Sequence, residues 1–354
     1  MKILVEGVIS FYMFICVVLM VFNVAYIARQ ILAEKRTKKR IEQWEKVLEV
    51  SLKLDARHLN MLKNINELTS FYNALNSKVI ENNKSDVFYK ENARLIQELS
   101  LEYQKHSPME KAFFAYLLAS LDYPEGSDLN MLNKIMLSYF DDSTVYCREN
   151  VLHALYAFGN PQAVEHGLEL LNENDWYHNP KLIGDGLMKY KGDKVELVLR
   201  LWMHRDEWRD HLLQGVVQFA SFVDDDRIKA AFYDGFVSKG LSSEVRFALI
   251  RYFGHHPMEK MKPVLIDLLL SEDAQDEHYA IAAASALAAY PGEESVNALI
   301  VGLYSRSWYI RRNAAVSLFR LHSLDKAYQS ISDHPDRYAH EMLDYVSASL
   351  GGGK

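Results

Sequence analysis

The chain has 354 residues, of which 49% are hydrophobic and 25% charged, with 16 glycines and 8 prolines. That composition excludes a disordered or collagen-like polymer and suits a packed, largely helical protein. Two cysteines, Cys16 and Cys147, cannot form a disulfide framework and point to a reducing compartment for the folded part.

Residues 7–28, GVISFYMFICVVLMVFNVAYIA, make an uncharged run of 22 residues. At about 1.5 Å of rise per residue, a helix of this length spans roughly 33 Å, enough to cross a bilayer core. Ala28 preceded by Tyr26 and Ile27 is a poor small-residue cleavage site, so an uncleaved transmembrane anchor is expected rather than a signal peptide. Lys2 and Glu6 cancel before the run, whereas residues 29–46 hold seven bases against three acids, a local balance of +4. The positive-inside rule then predicts a single pass through the cell membrane, with a short N-terminus outside and the C-terminal domain in the cytoplasm. Removing that +4 from the net −7 leaves −11 on residues 47–354, the wrong sign for a nucleic-acid partner.

After the anchor, Ile27, Ile31, Ile41, Trp44, Val47, Leu48 and Leu52 recur at three- and four-residue spacings, so the anchor helix is expected to run on past the membrane. Further helices are predicted over Leu59–Leu75 and Val87–Tyr103, separated by the polar stretch Glu81–Asp86. Residues 29–105 thus form a basic juxtamembrane and helical connector, distinct from the anchor at 1–28 and from a third region at 106–350.

That third region repeats. Tyr146, Tyr177, Trp208, Val245, Tyr279 and Tyr309 anchor six related segments with gaps of 31, 31, 37, 34 and 30 residues. Each segment reads as an apolar helix, a short turn such as Gly159-Asn160-Pro161 or Pro291-Gly292-Glu293, and a second, amphipathic helix. One such hairpin cannot bury its own apolar face, but a stack of them builds a continuous core. Ser107 onward and Asp128 onward supply a divergent first hairpin. The last helix follows Ser332 and Asp333, its expected caps, and stops at Gly351. The terminal GGGK lacks the spacing and following helix of a phosphate loop.

With Arg148, Arg246 and Arg312, the turn-plus-helix starts Ala163-Val164 and Ser295-Val296, and the Gly-Asn-Pro turn, the pattern resembles HEAT repeats, in particular the short class found in phycobilin lyase relatives. The resemblance covers about residues 140–332. It implies an all-α chain in which an N-terminal transmembrane helix and a helical connector lead into an α-α superhelix, a HEAT-like solenoid with terminal caps. Such a solenoid offers a long concave binding surface; analogy with anchored HEAT-like proteins of bacterial envelope systems implies a role in a membrane envelope or polysaccharide system, while the likeness to lyase relatives implies the alternative of an enzyme or small-molecule binder.

No nucleophile elbow, HExxH, Walker loop or dinucleotide fingerprint occurs, so no catalytic residues, cofactor or metal are assigned. The histidines at 204, 211, 255, 256 and 278 lack zinc-ligand spacing and are expected to be structural or solvent-facing. The Asp224–Asp226 run suits a helix N-cap. More informative are aromatic and arginine side chains near the repeat turns, because such residues dominate protein-binding hot spots. Trp176, Tyr177, Trp208, Trp308, Tyr309 and Arg311 are the candidate partner-binding residues, while Arg148, Arg246 and Arg312 are assigned to packing. The expected function is a membrane-tethered cytoplasmic scaffold or adaptor binding a protein partner at the membrane. A small-molecule ligand is not expected; the alternative is an enzyme or small-molecule binder of the HEAT-like lyase type.

Overall fold

A computed structural model describes residues 2–351 apart from 125, 142, 239, 272, 274–276, 333 and 334. The described residues form an all-α fold without strands, and their packing divides the chain into two compact units, Met1–Phe158 and Gly159–Lys354. The terminal GGGK starts inside the last helix, and its residues 352–354 lie outside the described residues.

In the first unit, α1 spans Lys2–Val50 without a break. Within it, Met13–Val50 carries a stretch long and apolar enough to cross a membrane, and Phe14, Met20 and Phe22 on that stretch are fully open to the surroundings. The same helix changes character further on. Trp44 and Leu48 are buried, and the Trp44 indole N–H donates to Glu67 Oε2 at 3.0 Å. Arg40 Nε donates to Ser70 Oγ at 3.3 Å, and Lys78 meets Glu49 at 2.6 Å. Glu67 and Ser70 belong to α3 (Ile65–Leu75) and Lys78 follows it, so one helix is both apolar span and core element.

The expected Leu59–Leu75 helix is instead two, α2 (Ala56–Leu62) and α3, because Asn64 turns its side chain onto the Asn66 N–H at 2.9 Å and starts the second. A short π-helical turn, Asn76–Ile80, extends α3, and Asn83 takes a left-handed φ of 53° before α4 (Ser85–Tyr103). The first hairpin is α5 (Pro108–Ala119) and α6 (Asn130–Ser138), and α7 (Val145–Phe158) packs on α5. Pro108 at the first helical position and the Ser107–Glu110 capping box set the start of α5.

The second unit runs through α8 (Pro161–Glu173), α9 (Pro180–Leu187), α10 (Lys194–Met203), α11 (Asp210–Ala220), α12 (Asp226–Val237) and α13 (Ser243–His255). It continues with α14 (Met261–Leu269), α15 (Glu277–Ala286), α16 (Glu293–Gly302), α17 (Trp308–Arg320), α18 (Leu324–Ile331) and α19 (Arg337–Gly351). Turn residues start most of these helices. Asn160 accepts from Ala163 N, Asn179 from Lys181 N, Asp193 from Val195 N and Ser242 from Val245 N. The aspartate run behaves likewise, with Asp225 Oδ1 accepting from Arg227 N at 2.9 Å. At α19 the capping carboxylate is Asp336, which accepts from Tyr338 N at 2.9 Å, rather than Ser332; Asp333 lies outside the described residues.

Within this unit the odd-numbered helices from α9 to α19 pack each on the next odd one, and α8 on α10 on α12 and α14 on α16 form the companion layer. Two glycines bring α9 and α11 close: a Cβ on Gly215 would stand 2.7 Å from Ile183 Cβ, and one on Gly184 would stand 2.9 Å from Gln218 Cγ.

Side chains also join equivalent helices across the repeat. Tyr103 and Tyr139 close α4 and α6, and their hydroxyls donate to the carbonyls of Leu62 (2.8 Å) and Ser100 (2.6 Å), near the ends of α2 and α4. In the second unit Tyr190 donates to Gly159 O at 2.9 Å and Tyr290 to Phe253 O at 3.0 Å. Burial pushes the Tyr190 and Tyr290 hydroxyls up to about 12, so they remain donors throughout the neutral range. Ser317 Oγ to Ala284 O at 2.6 Å and Asn313 Nδ2 to Ile281 O at 2.9 Å make the same kind of join between α17 and α15.

Candidate functional site

The proposed binding residues fall into two surfaces of the second unit and one core position. Trp208, before α11, is only 8% exposed and is therefore covered by its own chain. Trp202 is buried as well, donating through Nε1 to Ala231 O at 3.0 Å with Gly235 against its ring.

The first surface precedes α9 and α11. Trp176 is half-buried and Tyr177 is exposed, at a turn where Asp175 takes a φ of 55°. Tyr177 packs its ring on His211 with centroids 5.0 Å apart. Arg209 crosses the turn, with Nη1 2.8 Å from Asp175 Oδ1 and Nε donating to Asn172 O at 3.1 Å. Asp175, Tyr177, Arg209 and His211, with Pro180, Asp210 and Gln214, line an open groove of about 560 Å³, which Trp176 does not line. Burial first, then the charges of His178 and Arg209, hold the His211 imidazole below its ordinary pKa.

The second surface lies between α17 and α19. Trp308 and Tyr309 open α17, both exposed, with rings 5.3 Å apart at 86°. Across from them α19 presents Tyr338, Glu341, Met342 and Tyr345, which share one helix face at spacings of three, four and seven. Trp308, Arg311 and these four enclose a cleft of about 170 Å³. Tyr338 and Tyr345 are exposed at its rim, while Met342 forms the buried floor. Only Trp308, Tyr309 and Arg311 of this set are prominent in the repeat pattern. The α19 face is legible in the sequence only as heptad-like spacing in a terminal cap.

Arg311, rather than Arg312, takes the inward, backbone-bonded place expected of Arg312. Arg311 is half-buried, donates from Nη1 to Ser305 O at 2.8 Å and places its guanidinium 5.3 Å from the Tyr338 ring centre. Arg148 and Arg246 make the same type of bond, to Ser143 O at 3.0 Å and Phe236 O at 2.9 Å. Arg311 is thus their counterpart, and the exposed Arg312 sits over the Trp308 ring at 5.9 Å. One residue of helix turns a side chain by about 100°, which is why adjacent arginines cannot share this task.

The two Trp-Tyr pairs also differ in setting. Trp176-Tyr177 stands outside its helix, because Asn179 and Pro180 delay the start of α9, whereas Trp308-Tyr309 occupies the first turn of α17. Among the histidines, His256 Nε2 bonds Ser221 O at 2.9 Å while His255 is exposed, and His204 Nε2 lies 3.7 Å from Glu165. Among the described residues no group of three or more His, Cys, Asp or Glu side chains is arranged to hold a metal ion.

The chain matches no protein-family model and no curated protein sequence.

Proposed function

We propose that the protein is a membrane-tethered scaffold or adaptor whose helical hairpins form a HEAT-like solenoid, with the body in the cytoplasm and the short N-terminus outside. The observation that carries the binding part is the set of large aromatic side chains left open on the second unit. Tyr177, Trp308, Tyr309 and Tyr338 are 66%, 47%, 62% and 64% exposed, and unlike the other exposed apolar side chains of the unit, such as Met203 and Phe222, they line or border its two concave surfaces. Exposed Trp and Tyr bury large area on association with little loss of rotamer freedom. The solenoid part is supported by the packing of alternate helices and by tyrosine and serine bonds between residues about one repeat apart. Confinement to the membrane plane would raise the effective concentration of the scaffold near membrane partners, and a bacterial envelope system is the setting we favour.

The test combines topology with contact. Protease added outside intact cells should leave the C-terminal body whole and digest it only after the membrane is opened; digestion in intact cells would overturn the orientation. A photo-crosslinking residue at Tyr177 in living cells should yield a discrete protein adduct, and its absence there and at Tyr309 would overturn the scaffold reading.

A further inference from the structure

The cleft between α17 and α19 combines three features that select one kind of occupant. The first is size. About 170 Å³ is below the roughly 300–1,000 Å³ of sites that enclose a small molecule, so the cleft has room for one or two side chains of a longer ligand. The second is lining: the faces of Trp308, Tyr338 and Tyr345 surround a Met342 floor, a surface for an apolar or aromatic side chain. The third is charge. Residues 159–354 hold 28 acidic and 21 basic side chains, a net −7, yet the segments bordering the cleft carry Arg306, Arg311, Arg312 and Arg337 against Asp336, Glu341 and Asp344, a local excess of one base. Arg337 is engaged with Glu341 at 2.6 Å and Arg311 with Ser305 O. Arg306 and Arg312 are exposed and, among the described residues, hold no ion pair. A positive rim on a negative unit selects against most of the unit's own surface and steers an acidic chain to this place.

We propose that this cleft docks an acidic linear segment of the protein partner, with one apolar or aromatic side chain inserted among Trp308, Tyr338 and Tyr345 and its carboxylates paired with Arg306 and Arg312. The proposal rests on the scaffold reading and specifies which segment of the partner is taken. Arginine is suited to the task because its planar fork meets a carboxylate with two donors. The Arg312 guanidinium is already stacked over Trp308, so the aromatic and charged parts of the site are held together.

The test uses the full chain in nanodiscs of zwitterionic lipid and fluorescence anisotropy of labelled peptides. The probe is a short run of glutamate and aspartate around a central phenylalanine; its controls carry lysine for every acid, or alanine for the phenylalanine. The acidic peptide should bind saturably, the lysine peptide should not, and the alanine peptide should bind about tenfold more weakly. Arg306→Glu with Arg312→Glu should weaken binding by about tenfold or more without lowering the melting temperature; the Gln pair, which keeps side-chain length, guards against an unfolding artefact and should weaken it less. Equal binding of acidic and basic peptides, absence of saturable binding, or full binding by the double Glu variant overturns the proposal. So does quenching of Trp308 fluorescence by brominated anionic lipid without peptide binding, which would make the cleft a membrane contact. An adduct at Tyr177 in cells with no peptide binding would leave the scaffold reading standing and remove this site alone.

Discussion

Replacing Trp44 by alanine tests whether α1 belongs to the core of the first unit or merely lies against it. Trp44 is 2% exposed, its ring is edge-on to Phe71 at 5.1 Å, and its indole N–H donates to Glu67 Oε2 at 3.0 Å. Truncating a buried Trp costs about 3–5 kcal/mol through lost transfer free energy and the cavity left behind. Glu67 would lose its indole donor but is partly exposed and stays 4.0 Å from Arg40, so its loss adds no more than about 1 kcal/mol. For a unit of this size each kcal/mol moves the midpoint by about 2–4 °C, so the melting temperature should fall by roughly 6–24 °C. Trp44→Phe keeps one aromatic ring near Phe71 while removing the N–H and part of the buried ring volume, and should cost less than the alanine, about 1–3 kcal/mol. Thermal unfolding of the full chain in mild detergent, followed by near-ultraviolet circular dichroism, measures both. An alanine variant that melts together with the parent would show that α1 contributes nothing to the packing around α3.

Tyr139→Phe removes the hydroxyl that reaches Ser100 O and should cost about 1–2 kcal/mol, read in the same melting assay. Gly215→Ala places a methyl against Ile183 and should destabilise the second unit by about 1–3 kcal/mol, as chemical denaturation would report. Arg311→Ala should lower the melting temperature because it frees Ser305 O and uncovers Tyr338, whereas Arg312→Ala should leave stability within about 0.5 kcal/mol, so stability separates the two arginines before any binding is measured. The depressed His211 pKa also has a sign: the unfolded chain takes the proton more readily, so this contribution is complete above the unfolded value of about 6.5 and stability falls as the pH drops below it. Melting temperature followed from pH 7 to pH 5 should decline, and His211→Gln should flatten that decline.

The helical class and the hairpin period were legible because apolar spacing and turn residues act locally. Asn160, Asn179 and Asp193 start helices by bonding N–H groups two or three residues on, and the sequence displays that chemistry directly. What it did not display was register across the repeat. Whether Arg311 or Arg312 turns inward is decided by where α17 starts, and that start depends on Ser307 and the preceding loop. Trp208 occupies an anchor position of the period, yet it is only 8% exposed, and a position in the period does not reveal burial. The tyrosines at 103, 139, 190 and 290 escaped the pattern for a similar reason. They stand at helix ends, where spacing varies, and their partners are backbone carbonyls that carry no residue signature.

The unbroken course of α1 sets a mechanical phase. From Ala28, where the uncharged run ends, to Arg40, the first side chain bonded to α3, there are twelve residues, or about 18 Å of helix. With the apolar stretch in a bilayer as proposed, that post fixes both the height of the first unit and its azimuth about the helix axis. One residue inserted after Lys35 would turn the unit by about 100° and lift it by about 1.5 Å, whereas seven would lift it by about 10.5 Å and return it to within about 20° of its original heading. Height and heading can therefore be varied almost independently by insertion length alone, and a membrane partner that requires a particular heading should tolerate seven added residues better than two.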